Sequence, residues 1–296
     1  MKNIILITGG AGFIGSNLVE LMLKKTKFKI ISLDNYSTGS KKNHFLNQRV
    51  EYIKGETKNI NKILDKKKNK ILSVFHFGEF SRIYQSFLHM NECINSNTIG
   101  TNEVFNFCLK NKIKLIYSAT SASLGNGGKD KDLSPYAFTK AKNLELLENL
   151  KNWFKFKFEI VYFYNVYGPK QISKGHMATV IGIFEQSFKK KKPLTVVRPG
   201  TQRRNFTHVY DTVLACYKAW RISKNKHYSV LNKKSYSIFQ VAKLFNQSIK
   251  FLPKRKGERY ASALTKINLS NKINIIYGKI SLKNYVNNFI NSHQKY

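Results

Sequence analysis

Acidic residues are scarce in this chain of 296 residues: 16 Asp and Glu stand against 52 Lys and Arg, a formal net charge of +36. Cysteine is scarcer. Cys93, Cys108 and Cys216 form no CxxC and no Cys/His pair at metal spacing. That excludes a disulfide framework and a zinc-type site, and no metal is expected. Cys108, set in an apolar helix pattern, reads as a core residue. No apolar run is long enough to span a bilayer, so no membrane partner is expected. The N-terminal apolar run breaks at Thr8-Gly9-Gly10 without a cleavage-like end, and it reads as a strand of a soluble, cytoplasmic protein.

The excess of positive charge suits two readings. A cationic surface attracts phosphate backbones. A Lys/Asn/Ile-rich composition, as an AT-biased coding sequence gives, produces the same number. The lysines are spread along the chain, with short runs at Lys66–Lys68 and Lys189–Lys192. No Arg-rich arm, zinc finger or RNP-like motif gathers them, which favours the compositional reading and no specific nucleic-acid partner. Weak non-specific binding to polyanions follows either way.

What is present is a patterned core. Hydrophobic residues make up 42% of the chain, enough for one large α/β domain or one with a smaller companion. Ile4–Ile7 is a β-type run that feeds a turn with Gly9, Gly12 and Gly15 at every third position. A helix with Leu18, Val19, Leu21, Met22 and Leu23 on its buried side follows. Strand, tight turn and helix start aim unpaired N–H groups and a positive dipole end at one spot, the usual seat of a dinucleotide pyrophosphate. A second strand, Lys29–Leu33, ends in Asp34-Asn35. An acid there accepts the adenosine ribose hydroxyls and repels a 2′-phosphate, so NAD is favoured over NADP.

Further strands are expected near Val50–Ile53, Ile71–His76 and Ile113–Ser118, with helices over Ile60–Lys67, Cys93–Leu109 and Ala141–Leu150. This alternation means a doubly wound parallel sheet with ligands at the carboxyl ends of its strands. Gly9, Asp34, Glu56, Gly78 and the cluster Ser118–Ser123 all fall at such ends, and the adenine edge is expected near Glu56-Thr57. His76 closes an apolar run and reads as a hydrogen-bonded structural histidine. Glu79 and Arg82 fit either a cofactor or substrate contact or a loop ion pair.

The catalytic constellation is Tyr136-Ala-Phe-Thr-Lys140. Residues four apart share a helix face, so the Lys140 ammonium can sit below the Tyr136 ring. A neighbouring cation, and the positive nicotinamide of NAD⁺, lower a phenol from its free value of about 10, giving an acid or base usable near neutral pH. YxxxK alone is a weak signal. Ser118-Ala-Thr-Ser-Ala-Ser123 strengthens it, with Thr120 placed to hydrogen-bond the oxygen that Tyr136 deprotonates, although such a cluster also serves plain turns.

Taken together, Thr8-Gly-Gly-Ala-Gly-Phe-Ile-Gly15, Asp34-Asn35, Asn97-Thr-Ile-Gly-Thr101, Thr120 and Tyr136-xxx-Lys140 resemble the extended short-chain dehydrogenase/reductase family. The resemblance is strongest to its nucleotide-sugar epimerases and dehydratases, above all the UDP-glucose 4-epimerases. It continues through Phe163-Tyr-Asn-Val-Tyr-Gly-Pro169, Gly200–Val209 and Arg255-Lys-Gly-Glu258, nearly the whole chain. It implies a Rossmann α/β fold with a smaller α/β substrate domain: residues 1–164 plus 204–232 for NAD, and 165–203 plus 233–296 for the nucleotide sugar. It further implies that Gly9, Gly12, Phe13 and Ile14 line the pyrophosphate, that Asp34, Asn35 and Thr38 hold the adenosine ribose, and that Phe77, Gly78, Asn97 and Phe163 flank the nicotinamide half. Tyr136 and Lys140 become the catalytic pair, with Lys140 also bonding the nicotinamide ribose. Asn165, Arg204 and Arg255 hold the nucleotide sugar, and the arginine forks suit phosphate oxygens. Ser262 stands beside the sugar ring, where a small residue leaves room for an N-acetyl group. Family members dimerise through the Tyr136-bearing helix, so a homodimer is expected.

Some positions depart from the family pattern. Glu56-Thr57 replaces Asp and an aliphatic residue, Gly78-Glu79 stands where two small residues are common, Leu124 replaces a frequent Tyr, and Asn205 replaces an Asp. Family 4,6-dehydratases carry Asp-Glu after the Thr120 position, and decarboxylases keep the Glu; Ser121-Ala122 supplies neither. A lone Tyr/Lys/Thr set suffices for 4-epimerisation. The alternatives are another sugar-nucleotide oxidoreductase of the family or a non-catalytic NAD-binding regulator, which need not retain Tyr136 and Lys140.

Overall fold

Residues 2–124, 130–254 and 273–293 of the computed structural model are described. The strands are β1 (Ile4–Thr8), β2 (Lys29–Asp34), β3 (Val50–Lys54), β4 (Ile71–His76), β5 (Lys114–Thr120), β6 (Phe158–Phe163), β7 (Val166–Tyr167), β8 (Leu194–Val197), β9 (Arg203–Asn205), β10 (Thr207–His208), β11 (His227–Leu231), β12 (Ser235–Ser237), β13 (Ile249–Leu252) and β14 (Ile273–Tyr277). Eight of them form a parallel sheet in the order β14-β11-β6-β5-β4-β1-β2-β3. Every residue of β1 is buried, because a parallel strand is covered on both faces. The order reverses beside β1, where Leu6 pairs with Ile31 of β2 on one side and Val74 of β4 on the other. That switch point opens a crevice at the carboxyl ends.

The helices are α1 (Phe13–Lys25), α2 (Ile60–Ile63), α3 (Ile83–Leu88), α4 (Met90–Ile94), α5 (Thr101–Lys110), α6 (Pro135–Phe154), α7 (Val180–Lys189), α8 (Val209–Ile222), α9 (Ile238–Lys243) and α10 (Leu282–His293). On one face of the sheet, Leu18, Val19 and Met22 of α1 pack with Val209, Val213 and Cys216 of α8. On the other, Val104, Phe107 and Cys108 of α5 and Leu147 of α6 do so. The core reading of Cys108 is thus borne out. A separate core of Ile181, Phe184, Leu194, Val196, Val241, Phe245 and Val286 holds the second lobe.

Three expectations change. The helix expected over Ile60–Lys67 stops after Ile63, since Leu64 is the last apolar residue before a lysine run that has nothing to bury. The helix expected over Cys93–Leu109 starts at Met90 and passes through a π-turn at Asn95–Gly100 before α5. Ile273–Tyr277, expected in the substrate lobe, pairs with β11 as the edge of the main sheet. A short isoleucine-rich run such as Ile-Asn-Ile-Ile-Tyr carries no sign of which sheet it joins.

Candidate active site

The glycine turn is built around close backbone approach. Gly9 has φ +69, and a Cβ there would lie 2.8 Å from the Gly78 nitrogen. Gly12 caps α1 with no side chain, and the first turn holds no acid. An anion therefore meets unopposed N–H groups at Phe13 and Ile14. Buried Asp34 closes the turn from β2. Its carboxylate accepts from the backbone nitrogens of Ala11 (3.0 Å) and Tyr36 (2.8 Å). Burial raises its pKa, and these backbone hydrogen bonds pull it back. Asn35 and Thr38 lie exposed in the loop that follows, with the Asn35 side chain accepting from Ser37 N. Glu56 is exposed and paired with Lys58 at 2.8 Å, whereas Thr57 is buried.

Phe77 and Gly78 leave β4 with both backbone nitrogens donating to the Thr8 hydroxyl at 3.1 Å. His76, fully buried, is the structural histidine expected: Nδ1 lies 2.7 Å from the Thr8 hydroxyl and Nε2 lies 3.0 Å from that of Thr101. Asn97 sits behind this loop. Its side chain clamps Phe80, accepting from the backbone nitrogen at 2.7 Å and donating to the carbonyl at 3.1 Å. That geometry makes it a support of the 77–80 loop. Phe163, at the end of β6, meets Phe77 edge-on with ring centroids 5.5 Å apart.

Ser134 starts α6, its hydroxyl accepting from Ala137 N at 3.1 Å, with Pro135 at the first helical position. Both are efficient helix starters, and they fix Tyr136 in the first turn. The Tyr136 side chain packs against Phe80, Cys93 and Met177. Thr120 ends β5, opposite Phe163, and its hydroxyl accepts from Ala122 N at 3.2 Å. Lys140 lies buried one turn further along the same helix. Its Nζ stands 4.3 Å over the Tyr117 ring, donates to the Ser118 carbonyl, and pairs with Glu79 at 2.5 Å. The buried carboxylate supplies the neutralising partner that a buried ammonium needs. Glu79 was open between a ligand contact and a loop ion pair; it is a buried pair with the catalytic-motif lysine. Sequence reasoning missed that centrality, although the departure from two small residues at 78–79 marked the spot. Arg82 donates from Nε to the Met177 carbonyl at 3.0 Å.

On the second lobe, Asn165 (φ +30) donates to the Asn205 carbonyl at 3.0 Å. Arg204 is buried and donates to the Arg203 carbonyl. Gln202, two residues before it, buries an acceptor oxygen with no hydrogen-bond partner among the described residues. Arg255 and Ser262 lie outside the described residues. Among the described residues no cluster of His, Cys, Asp or Glu could hold a metal, and no helix is long and apolar enough to cross a membrane.

The NAD dependent epimerase/dehydratase family model matches residues 5–232. The chain belongs to that family. The matched span contains the glycine turn, Asp34, Thr120, Tyr136, Lys140 and Arg204. Among curated relatives of this epimerase/dehydratase, a UDP-N-acetyl-alpha-D-glucosaminuronate decarboxylase of Bacillus cytotoxicus is 31% identical over 237 residues, covering 74% of this chain and 71% of its own. An ADP-L-glycero-D-manno-heptose-6-epimerase of Brachyspira hyodysenteriae is 30% identical over 223 residues, covering 71% and 69%. In structure, the UDP-glucose 4-epimerase of Thermotoga maritima, solved with UDP-glucose, superposes with a TM-score of 0.83 over 99% of both chains at 24% identity. The fold is therefore the Rossmann-type fold of these enzymes, and NAD is the family's cofactor. The residues here fit that cofactor: the cap of α1 carries no side chain to exclude a pyrophosphate, and a buried carboxylate stands at the tip of β2.

Proposed function

We propose that this epimerase/dehydratase is a nucleotide-sugar 4-epimerase acting on a UDP-hexose. NAD, when bound, supplies the site for transient oxidation of the sugar at C4. The protein's own residues do the rest. Tyr136 takes the proton of the sugar 4-hydroxyl and later returns it. Thr120 steadies the same oxygen from the end of β5, and Lys140 holds its charge one helical turn beyond Tyr136. The 4-keto sugar turns over between the two half-reactions, so it must stay bound while one face and then the other is presented. Arg204, Arg255 and Asn165 supply that grip on the nucleotide diphosphate, with Ser262 beside the sugar.

One observation carries the choice of reaction. Thr120 is followed by Ser121 and Ala122 in a tight turn, with no carboxylate to remove or deliver a proton for elimination of water. The carboxylate brought to the pair, Glu79, is taken by Lys140, Tyr117 and Thr101. The same reading makes Asp34, Asn35 and Thr38 the adenosine ribose contacts and Phe77, Gly78 and Phe163 the nicotinamide wall. Epimerisation at another carbon is the second reading, supported by the relative that is a heptose 6-epimerase.

A homodimer accompanies this proposal. Exposed Met90 on α4 and Phe138 on α6 line an apolar groove together with Phe87, Ile94 and Leu133. Incubating the protein with a panel of nucleotide sugars, with NMR of the products and light scattering of the protein, tests both parts. Inversion at C4 from a dimer supports them. Loss of water or of carbon dioxide, or a monomer at working concentration, contradicts the part concerned.

A further inference from the structure

Lys140 is paired before any ligand reaches it. Its Nζ lies 2.5 Å from Oε2 of Glu79, and both side chains are almost wholly buried, at 5% and 3% exposure. The ammonium also donates to the Ser118 carbonyl. An ammonium has three donors, so one remains for anything else. Glu79 is held in turn. Its Oε1 accepts from the hydroxyls of Tyr117 and Thr101, each at 3.0 Å, and Ser118 Oγ stands 3.5 Å from Oε2. Asn143, on α6 with Lys140, donates to the Tyr117 hydroxyl at 3.0 Å and keeps that acceptor set in place.

Anion and cation this close present almost no net charge to a neighbour. Tyr136 stands one helical turn before Lys140 on α6, and an anion beside that ammonium opposes the field by which a lone ammonium would stabilise its phenolate. We propose that Glu79 is a positioning residue that aims Lys140 and offsets its charge, setting the pH at which Tyr136 ionises higher than Lys140 alone would set it. This rests on Tyr136 as the proton-transfer group of the reading above and deepens it.

The other titratable groups around the pair act differently. His76, from β4, is neutral at working pH, because burial depresses its pKa to about 4. Cys93, from α4, keeps its proton, burial pushing the thiol up to about 11. Tyr117, from β5, is raised well above the ordinary phenol range by burial and by Glu79. The Arg82 guanidinium, just before α3, lies near enough to Tyr136 for the two to attract when both are charged. On Lys140 itself, burial lowers the pKa and Glu79 pushes it back up. Glu79 is the carboxylate paired with Lys140, and so the anion that opposes that ammonium's charge.

Tyrosinate absorbance, taken as the difference between each protein and the same protein carrying Tyr136→Phe, follows Tyr136 without requiring turnover. In NAD-loaded and cofactor-free protein alike, Glu79→Gln is expected to lower the Tyr136 midpoint by about one pH unit, and the acid limb of kcat/KM moves with it. Glu79→Asp is expected to keep the wild-type midpoint. An unchanged or raised midpoint in Glu79→Gln overturns the proposal. The double variant Glu79→Gln with Lys140→Met removes both charges and leaves no buried charge unpaired, which guards against a single variant that fails to fold. Its midpoint is expected within about half a pH unit of wild type, whereas a rise of about one unit or more, as for removal of an unopposed cation, overturns the proposal. A wild type that converts no nucleotide sugar would defeat the functional reading, and the titrations would still decide the role of Glu79.

Discussion

The Thr8 hydroxyl and the Nδ1 atom of His76 meet 2.7 Å apart, joining the ends of two adjacent strands below the cofactor crevice. The same hydroxyl accepts from the backbone nitrogens of Phe77 and Gly78, so the imidazole, the strand end and the crevice wall form one hydrogen-bonded unit. Its upkeep depends on an uncharged ring.

Stability should therefore fall in acid in a defined window. Burial depresses the His76 pKa from 6.5 to about 4. The folded state then binds fewer protons than the unfolded state between those values. The stabilisation is complete above the unfolded value, declines as pH falls through the window, and is gone once the folded value is passed. The expected loss is about 3 kcal/mol. Urea unfolding between neutral pH and pH 4 reads it, and His76→Gln, less stable at neutral pH, should show a flatter dependence across the same window.

Gly9→Ala should destabilise the protein by about 1–3 kcal/mol. Its φ of +69 is a left-handed conformation, and the added Cβ would press on the backbone of Phe77 and Gly78 at 2.8–2.9 Å. A lowered thermal midpoint together with reduced NAD content is the expected result, because the turn and the crevice wall shift together.

Much of this was legible in the chain itself. Ile4–Ile7, the spacing of Gly9, Gly12 and Gly15, and Asp34 dictate local geometry through short-range sterics and alternation, so the parallel sheet and its crevice could be read directly. Tyr136 and Lys140 could be read because four-residue spacing places them on one helix face. The Lys140 partner could not. Glu79 lies 61 residues away in sequence, and its pairing depends on a carboxylate and an ammonium buried against each other by the packing of β4, β5 and α6. The placement of Ile273–Tyr277 was hidden for a similar reason: sheet membership at an edge is decided by tertiary pairing with β11.

Asp34→Ala should weaken NAD binding by about tenfold or more, equivalent to about 1.4 kcal/mol or more. It removes the charged acceptor proposed for the adenosine ribose and also the hydrogen bonds from Ala11 and Tyr36 that shape the turn. Calorimetric titration of cofactor-stripped protein measures it. Asp34→Asn, which keeps an acceptor of similar shape, should lose less affinity and discriminate less against NADP.

Tyr136→Phe should reduce turnover by roughly 10²–10⁴-fold, the range of a lost general acid–base group, while NAD content stays near wild type. The side chain packs with Phe80, Cys93 and Met177, contacts that phenylalanine preserves, so thermal stability should change little. A variant with undiminished turnover would remove Tyr136 from the chemistry.

Epimerisation at C4 would regenerate the cofactor in each cycle, so NAD should stay with the purified protein. Purified protein should be denatured and its released ligands weighed by mass spectrometry, and a parallel sample incubated with UDP-glucose and UDP-N-acetylglucosamine under NMR. Retained NAD and appearance of the C4-inverted UDP-hexose without added cofactor are the expected results. Retained NAD with a dehydrated or decarboxylated product, or inversion at a different carbon, would contradict epimerisation at C4.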